Sequence, residues 1–382
     1  MELTKCKLGE LITQRREKND GSDLPICGVS KDGLIPPKQK DADTSIYNVF
    51  YRDDFIFNPA RMELNSIAIN DMYDRAICSS LYEVFYVHRT DLLLPHYLKL
   101  IIRQKWFTRY CEFLGQGSAR EYCRFGNISE IEIELPPIKE QQKIVDYNTA
   151  IENRIALKQK INDNLEATAQ AVFQEQFASF YGADELPDGY SIVNLDSLCT
   201  VKGGKRLPAD CELLDTPTEH PYIRVRDVGS SRYVCLTNQF QYIDEETHSA
   251  ISRYIVNTGD IVISIVGTIG LLGKVHSSLD KANLTENCVK LTNIHTVTSD
   301  YLYYTLCYKK QIKEIELLTV GAVQAKLPIY NIQSMKILVP PTKVIEDFQN
   351  KMDVFNEQIE ANTVEVQKLY ELQEVLLAKL SD

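Results

Sequence analysis

Several short stretches of this 382-residue chain come close to catalytic or metal-binding motifs, and each falls short. Asn58-Pro59-Ala60-Arg61 approaches the Asn/Asp-Pro-Pro-aromatic motif that holds an adenine amino group for methyl transfer. It lacks the second proline and the aromatic ring, and a turn accounts for it. Gly267 to Lys274 approaches a phosphate-binding loop, but its glycine spacing is one residue too long and Val275 stands where a Ser or Thr belongs. A tight strand-to-strand connection is the simpler expectation. The six histidines are dispersed with no His-Glu-x-x-His, and none of the ten cysteines forms a Cys-x-x-Cys pair. These residues predict no catalytic centre and no metal site, with free buried thiols in a reducing cytoplasm.

What remains is recognition chemistry, and the elements that would position it repeat. Residues 128–173 and 332–377 align without a gap at a spacing of 204 residues, so that Pro136-Pro137 matches Pro340-Pro341, Ile155 matches Ile359 and Leu165 matches Leu369. Each Pro-Pro ends a strand and announces a helix. In the second copy Phe348, Met352, Phe355, Ile359, Asn362, Val366 and Leu369 alternate at spacings of four and three, a heptad seam. The first copy carries Ile144, Asn148, Ile151, Ile155, Lys158, Asn162 and Leu165, a more polar seam. Ile151, Ile155, Leu165, Phe355, Ile359, Val366 and Leu369 are the expected helix-pairing residues. Polar entries such as Asn162 and Asn362 can fix register at a cost in stability.

Strands are expected at 83–87, 131–135, 260–266 and 336–339, where β-branched and aromatic residues dominate. Helices are expected over 95–110 and 299–316. The fold class is therefore α+β: two mixed α/β segments, 1–137 and 185–341, separated by two long helices, 138–184 and 342–382, packed as an antiparallel coiled coil with a pseudo-two-fold internal repeat. Helices that each lie on their own domain are the alternative.

Two copies of one unit suit a partner with two matching faces, and a duplex read at two half-sites is one. A net charge of −11 argues the other way. Residues 342–382, however, hold nine acidic against four basic side chains, whereas 1–137 (18 basic, 20 acidic) and 185–341 (15 basic, 17 acidic) are close to neutral.

Glu134-Leu-Pro-Pro-Ile-Lys-Glu-Gln-Gln-Lys-Ile144, the helix after it and Leu186-Pro-Asp-Gly-Tyr190 resemble the central conserved region of type I restriction–modification specificity subunits. Lys202-Gly-Gly-Lys-Arg-Leu-Pro208, Gly259 to Gly267, Phe57 to Arg61 and Gly117-Ser-Ala-Arg120 are similar to further motifs of that family. The second helix departs from it, reading Pro-Pro-Thr-Lys-Val-Ile-Glu without the Glu-Gln pair. The resemblance implies a cytoplasmic, non-catalytic subunit of a multisubunit adenine methyltransferase or restriction enzyme. Segments 1–137 and 185–341 would be target recognition domains, each reading half of a split DNA target. Helices 138–184 and 342–382 would be conserved spacers that set the unread gap and dock two modification subunits. S-adenosylmethionine is expected on those partners, and ATP and magnesium on restriction subunits where these are present; none is expected on this chain.

Phosphate contact needs Lys or Arg, and base edges need Arg, Lys, Asn, Gln or Ser. The first segment offers Lys38, Lys40, Arg61, Ser79, Gln116, Ser118 and Arg120. The second offers Lys202, Lys205, Arg206, Arg224, Arg226, Thr268, Thr285, Asn287, Gln324 and Lys326. Against each stands the plain reading of an exposed side chain or a local turn partner. Tyr47, Tyr51 and Tyr82 are expected to pack rather than touch a ligand. Two other functions fit parts of the chain: a coiled-coil scaffold that binds no DNA, suggested by the acidic balance, and a self-contained DNA methyltransferase, disfavoured by the missing motifs.

Overall fold

The computed structural model describes residues 3–31, 33–37, 43–115, 123–183, 185–229, 231–237, 239–321 and 325–378. It divides into two compact units, Met1–Arg154 with Leu372–Asp382, and Ile155–Glu371. The boundary runs through both long helices, Ile138–Phe177 and Thr342–Ala378. They begin directly after Pro136-Pro137 and Pro340-Pro341, because proline can open a helix but cannot continue one.

In the first unit an antiparallel sheet runs in the order Ile12–Arg15, Glu83–Val87, Phe55–Phe57, Ile67–Ile69. Its central strands are aromatic and β-branched because both faces are covered. Phe55 and Phe85 stack with centroids 5.1 Å apart, and both are fully buried. A second sheet, Gly33–Ile35, Ile26–Ser30, Arg75–Cys78, Asn48–Tyr51, contains one parallel pair. Thr4–Lys7 pairs with Glu132–Leu135 beside the start of the first long helix. There the Glu-Gln pair of the helix acquires a structural meaning. Gln141 is fully buried; its side chain accepts from Leu94 N (3.0 Å) and donates to Leu92 O (2.7 Å) and Pro136 O (2.9 Å). One amide thus satisfies three backbone groups that burial would otherwise leave unpaired. At the matching position of the second copy stands Ile345, buried in the apolar core of the other unit.

The second unit repeats the order. Thr200–Gly203, Cys288–Thr292, Ile261–Ser264 and Leu272–Val275 follow one another antiparallel, with Tyr233–Val234 added at the edge. Ser191–Asn194 pairs with Lys336–Val339 as Thr4–Lys7 does with Glu132–Leu135. Each of the two shorter helices expected from sequence is interrupted, giving Pro95–Ile101 with Lys105–Gly115 and Ser299–Leu306 with Lys309–Leu318. Tyr308 is extended (φ −72°, ψ 137°) and caps the second piece, while buried Gln104 occupies the first break. Neither break carries the Gly or Pro that would announce it.

The long helices pair antiparallel inside each unit. In the second, Phe173 and Phe177 of one helix and Phe348 of the other meet Tyr301 with ring centroids 5.1–6.0 Å apart. All four rings are fully buried, each contributing about 1.5–3 kcal/mol of hydrophobic stabilisation. Ile155 and Ile359 are buried; Leu165, Phe355, Val366 and Leu369 are half-buried; Ile151 is buried in the first unit. The polar seam positions answer one another. Asn362 Nδ2 donates to Asn162 Oδ1 (2.7 Å), Lys158 Nζ donates to Asn362 Oδ1 (2.8 Å), and in the first unit Gln373 donates to Asn148 (2.9 Å). The seam that looks weak in one helix is matched by the other.

Candidate nucleic-acid interface

In both units most of the described candidates gather at one end of the antiparallel sheet, because the same turns are used twice. Arg224 and Arg226 instead follow strand His220–Ile223 of a separate sheet. Ser79 and Thr285 occupy equivalent turns: Tyr82 N donates to Ser79 O (3.0 Å) and Cys288 N to Thr285 O (3.1 Å), each leading into a central strand.

In the first unit Asn58 caps a 3-10 turn, Pro59–Leu64, its side chain accepting from Ala60 N at 3.1 Å. That turn carries Arg61 out of the sheet, its side chain exposed and without a hydrogen bond or ion pair among the described residues. Arg61 and Ser79 line a cleft of about 1470 Å³ together with Tyr47, Tyr82, Arg103 and Arg124. Tyr47 and Tyr82 are half-buried in its wall, whereas Tyr51 donates to Glu17 (2.8 Å) under the Arg15 guanidinium. Arg103 and Arg124 escaped sequence reasoning because neither sits in a motif. Only the fold brings them to the cleft, where Arg124 lies 3.2 Å from Glu83.

In the second unit Lys202, Lys205 and Arg206 leave the end of strand Thr200–Gly203, all exposed. The glycine between them is required: a Cβ on Gly204 would lie 2.1 Å from Thr285 O. Arg206 pairs with Glu286 (2.7 Å), and Lys205 Nζ lies 5.8 Å from the Tyr254 ring centroid. Tyr222 donates to Lys205 O (2.8 Å); burial pushes its hydroxyl up to about 12, which keeps it a neutral donor. Thr268 is exposed in the connection between Ile261–Ser264 and Leu272–Val275, where Gly267 and Gly270 both adopt φ +81°. This is a hairpin, as expected, and no phosphate loop. Asn287 is half-buried and accepts from Ile265 N (2.8 Å), while exposed Lys326 bridges to Val266.

Three of the predicted contacts are engaged locally. Thr285 is buried and donates to Glu286 (3.0 Å). Arg224 is half-buried, held by Asp227 (3.0 Å) and Gln241, and exposed Arg226 reaches Gln239 O at 3.4 Å. Lys38, Lys40, Gln116, Ser118, Arg120 and Gln324 lie outside the described residues.

Among the described residues no group of three His, Cys, Asp or Glu side chains could hold a metal ion, and no helix is long and apolar enough to cross a membrane. The ten cysteines are free thiols, six of them buried; burial pushes Cys27 up to about 11 and Cys111 up to about 12, so neither is a ready nucleophile.

The chain is similar to the MjaIX specificity subunit of Methanocaldococcus jannaschii, 23% identical over 310 residues, covering 76% of this chain and 69% of that one. It is 20% identical over 361 residues to the HindI specificity subunit of Haemophilus influenzae, covering 76% of this chain and 77% of that one. In fold it is similar to the crystal structure of a type I restriction-modification S subunit from M. genitalium, 15% identical, covering 99% and 96% of the two chains with a TM-score of 0.51. A family model described as the type I restriction modification DNA specificity domain matches residues 6–167 and again 187–373. Two copies of that domain therefore fill the repeat seen in sequence and sheet order, and the chain belongs to the type I restriction–modification specificity family.

Proposed function

We propose that this chain reads a split DNA target for a type I restriction–modification complex. Residues 1–137 and 185–341 each read one half-site, and the paired helices 138–184 and 342–382 fix the unread gap and help dock two modification subunits. Those subunits would bind S-adenosylmethionine and methylate a flipped adenine. Restriction subunits, where present, would use ATP and magnesium. The observation that carries the reading is the duplication: the same strand order recurs in both units, with exposed cations at the same sheet end. Half-sites on one face of a duplex lie about 34 Å apart, or a multiple of that.

The test is methylation mapping by single-molecule sequencing after co-expression with a cognate modification subunit. A split adenine motif with a fixed gap, lost when this chain is omitted, is the expected result. A stable complex that leaves no new methylation would favour a scaffold that reads no DNA.

A further inference from the structure

The helices Lys105–Gly115 and Lys309–Leu318 occupy equivalent places in the two copies, 204 residues apart. Each packs one side onto its own unit: Phe107 and Cys111 in the first, Gln311 and Ile315 in the second are buried. The outward side of the first carries Lys105, Arg109 and Phe113; that of the second carries Lys309, Lys313 and Leu317. Residues at i, i+4 and i+8 share a face, so both helices present the same stripe of two cations followed by one large apolar side chain. Phe113 is 73% exposed and Leu317 is 85% exposed. Among the described residues none of the four cations has an ion-pair partner.

We propose that these two stripes are a duplicated docking face for a protein partner whose surface sets carboxylates beside an apolar socket, one copy of the partner on each helix. The proposal rests on the function given above and names the partner as the modification subunit. Duplex phosphates would complement the cations but would leave an exposed phenyl ring and an exposed leucine without a counterpart. An acidic, partly apolar protein surface complements all three positions, and hydrophobic anchors beside charges are how such interfaces form. The same stripe on both copies implies the same partner twice.

The complex co-purified with the modification subunit is weighed by native mass spectrometry. The wild-type chain should carry two partner copies. Phe113→Asp and Leu317→Asp should each remove one, and the double variant both, with duplex binding by the isolated chain and its thermal melting unchanged. The paired charge reversal Lys105→Glu with Arg109→Glu should also remove one copy without touching an apolar residue. Retention of both partner copies by all variants overturns the proposal. So does a charge-reversed chain that assembles fully but binds duplex more weakly, which would assign the stripe to DNA. A wild-type chain that recruits no partner overturns the function proposed above as well, whereas a wild-type chain that recruits two copies, with variants that do the same, overturns only the docking face.

Discussion

Lys158 Nζ donates to Asn362 Oδ1 at 2.8 Å, and these two residues hold the same position in the two copies, 204 residues apart. The antiparallel helices therefore cross their own local two-fold at this pair. Asn362 is fully buried and serves three neighbours: it accepts from Lys158 and from Gln358 (3.0 Å) and donates to Asn162 (2.7 Å). Lys158 also pairs with Glu365 at 2.8 Å.

Asn362→Ala should destabilise the chain by about 1–3 kcal/mol, because it strands the Asn162 acceptor and part of the Lys158 ammonium at a dry seam. Urea denaturation measures the effect. A shift no larger than that of an exposed alanine substitution would show that water replaces the lost partners.

Arg232 makes a second prediction. Its guanidinium is almost fully buried and pairs with Asp300, with Glu166 (3.3 Å) and with the Tyr304 hydroxyl (3.0 Å). Lys274, Gln349 (2.7 Å) and Asn356 (2.7 Å) also reach Asp300, so the second long helix is tied to this network through the Asp300 carboxylate and the first through Glu166 on Arg232. Arg232→Met should cost about 3–5 kcal/mol, the usual penalty for breaking a buried ion pair from one side.

The same network sets a pH dependence. Burial opposes ionisation of Asp300, yet Lys274 and Arg232 outweigh it and hold the carboxyl well below the usual range. Its stabilising contribution is complete well above the unfolded value of about 3.9, fades as pH falls below about 5 and is lost as pH falls through the depressed folded-state value. Glu166 works in the opposite direction, since burial raises it more than Arg232 lowers it. The stability gap between wild type and Asp300→Asn, followed by urea midpoints, should narrow between pH 6 and 3. A gap that widened would mean that Glu166 governs the network.

Arg61→Ala should weaken duplex binding by about 1–3 kcal/mol and relax discrimination in one half-site only. Fluorescence anisotropy with each half-site scrambled in turn checks this. Equal loss against both half-sites would argue that Arg61 makes no local contact with its own half-site.

Adding helical turns tests the ruler. The neighbourhood of Ala167 is a poor place for them, because Glu166 beside it touches Arg232 and Ala169 is fully buried in the core. A four-residue insertion, about one turn, is better placed after Lys160, upstream of both. Methylation mapping should find both half-sites unchanged and the gap longer. Methylation at the original gap would sink the ruler.

The parts of the fold that could be read from residues are those set by local rules. The Pro-Pro pairs mark where both long helices begin, and the aromatic, β-branched runs mark strands Glu83–Val87 and Lys336–Val339 to the residue. The breaks after Ile101 and Leu306 were illegible because tertiary packing, not a breaker residue, interrupts each helix. The site was legible by composition only. Arg61 and Ser79 meet in one cleft, but Arg103 and Arg124 come from helix ends that sequence spacing does not bring near them. Arg224 and Thr285 looked available and instead hydrogen-bond within their own turns, a competition that no linear motif displays.

The crossing of Lys158 with Asn362 also decides what a half-length chain could do by itself. Two copies of the first half joined through the same symmetry would set Lys158 against Lys158, like charges at a narrow, half-buried spot. Two copies of the second half would set Asn362 against Asn362, and amides can satisfy each other. At this one position the fused chain thus favours pairing of the two unlike helices over pairing of the first helix with a copy of itself.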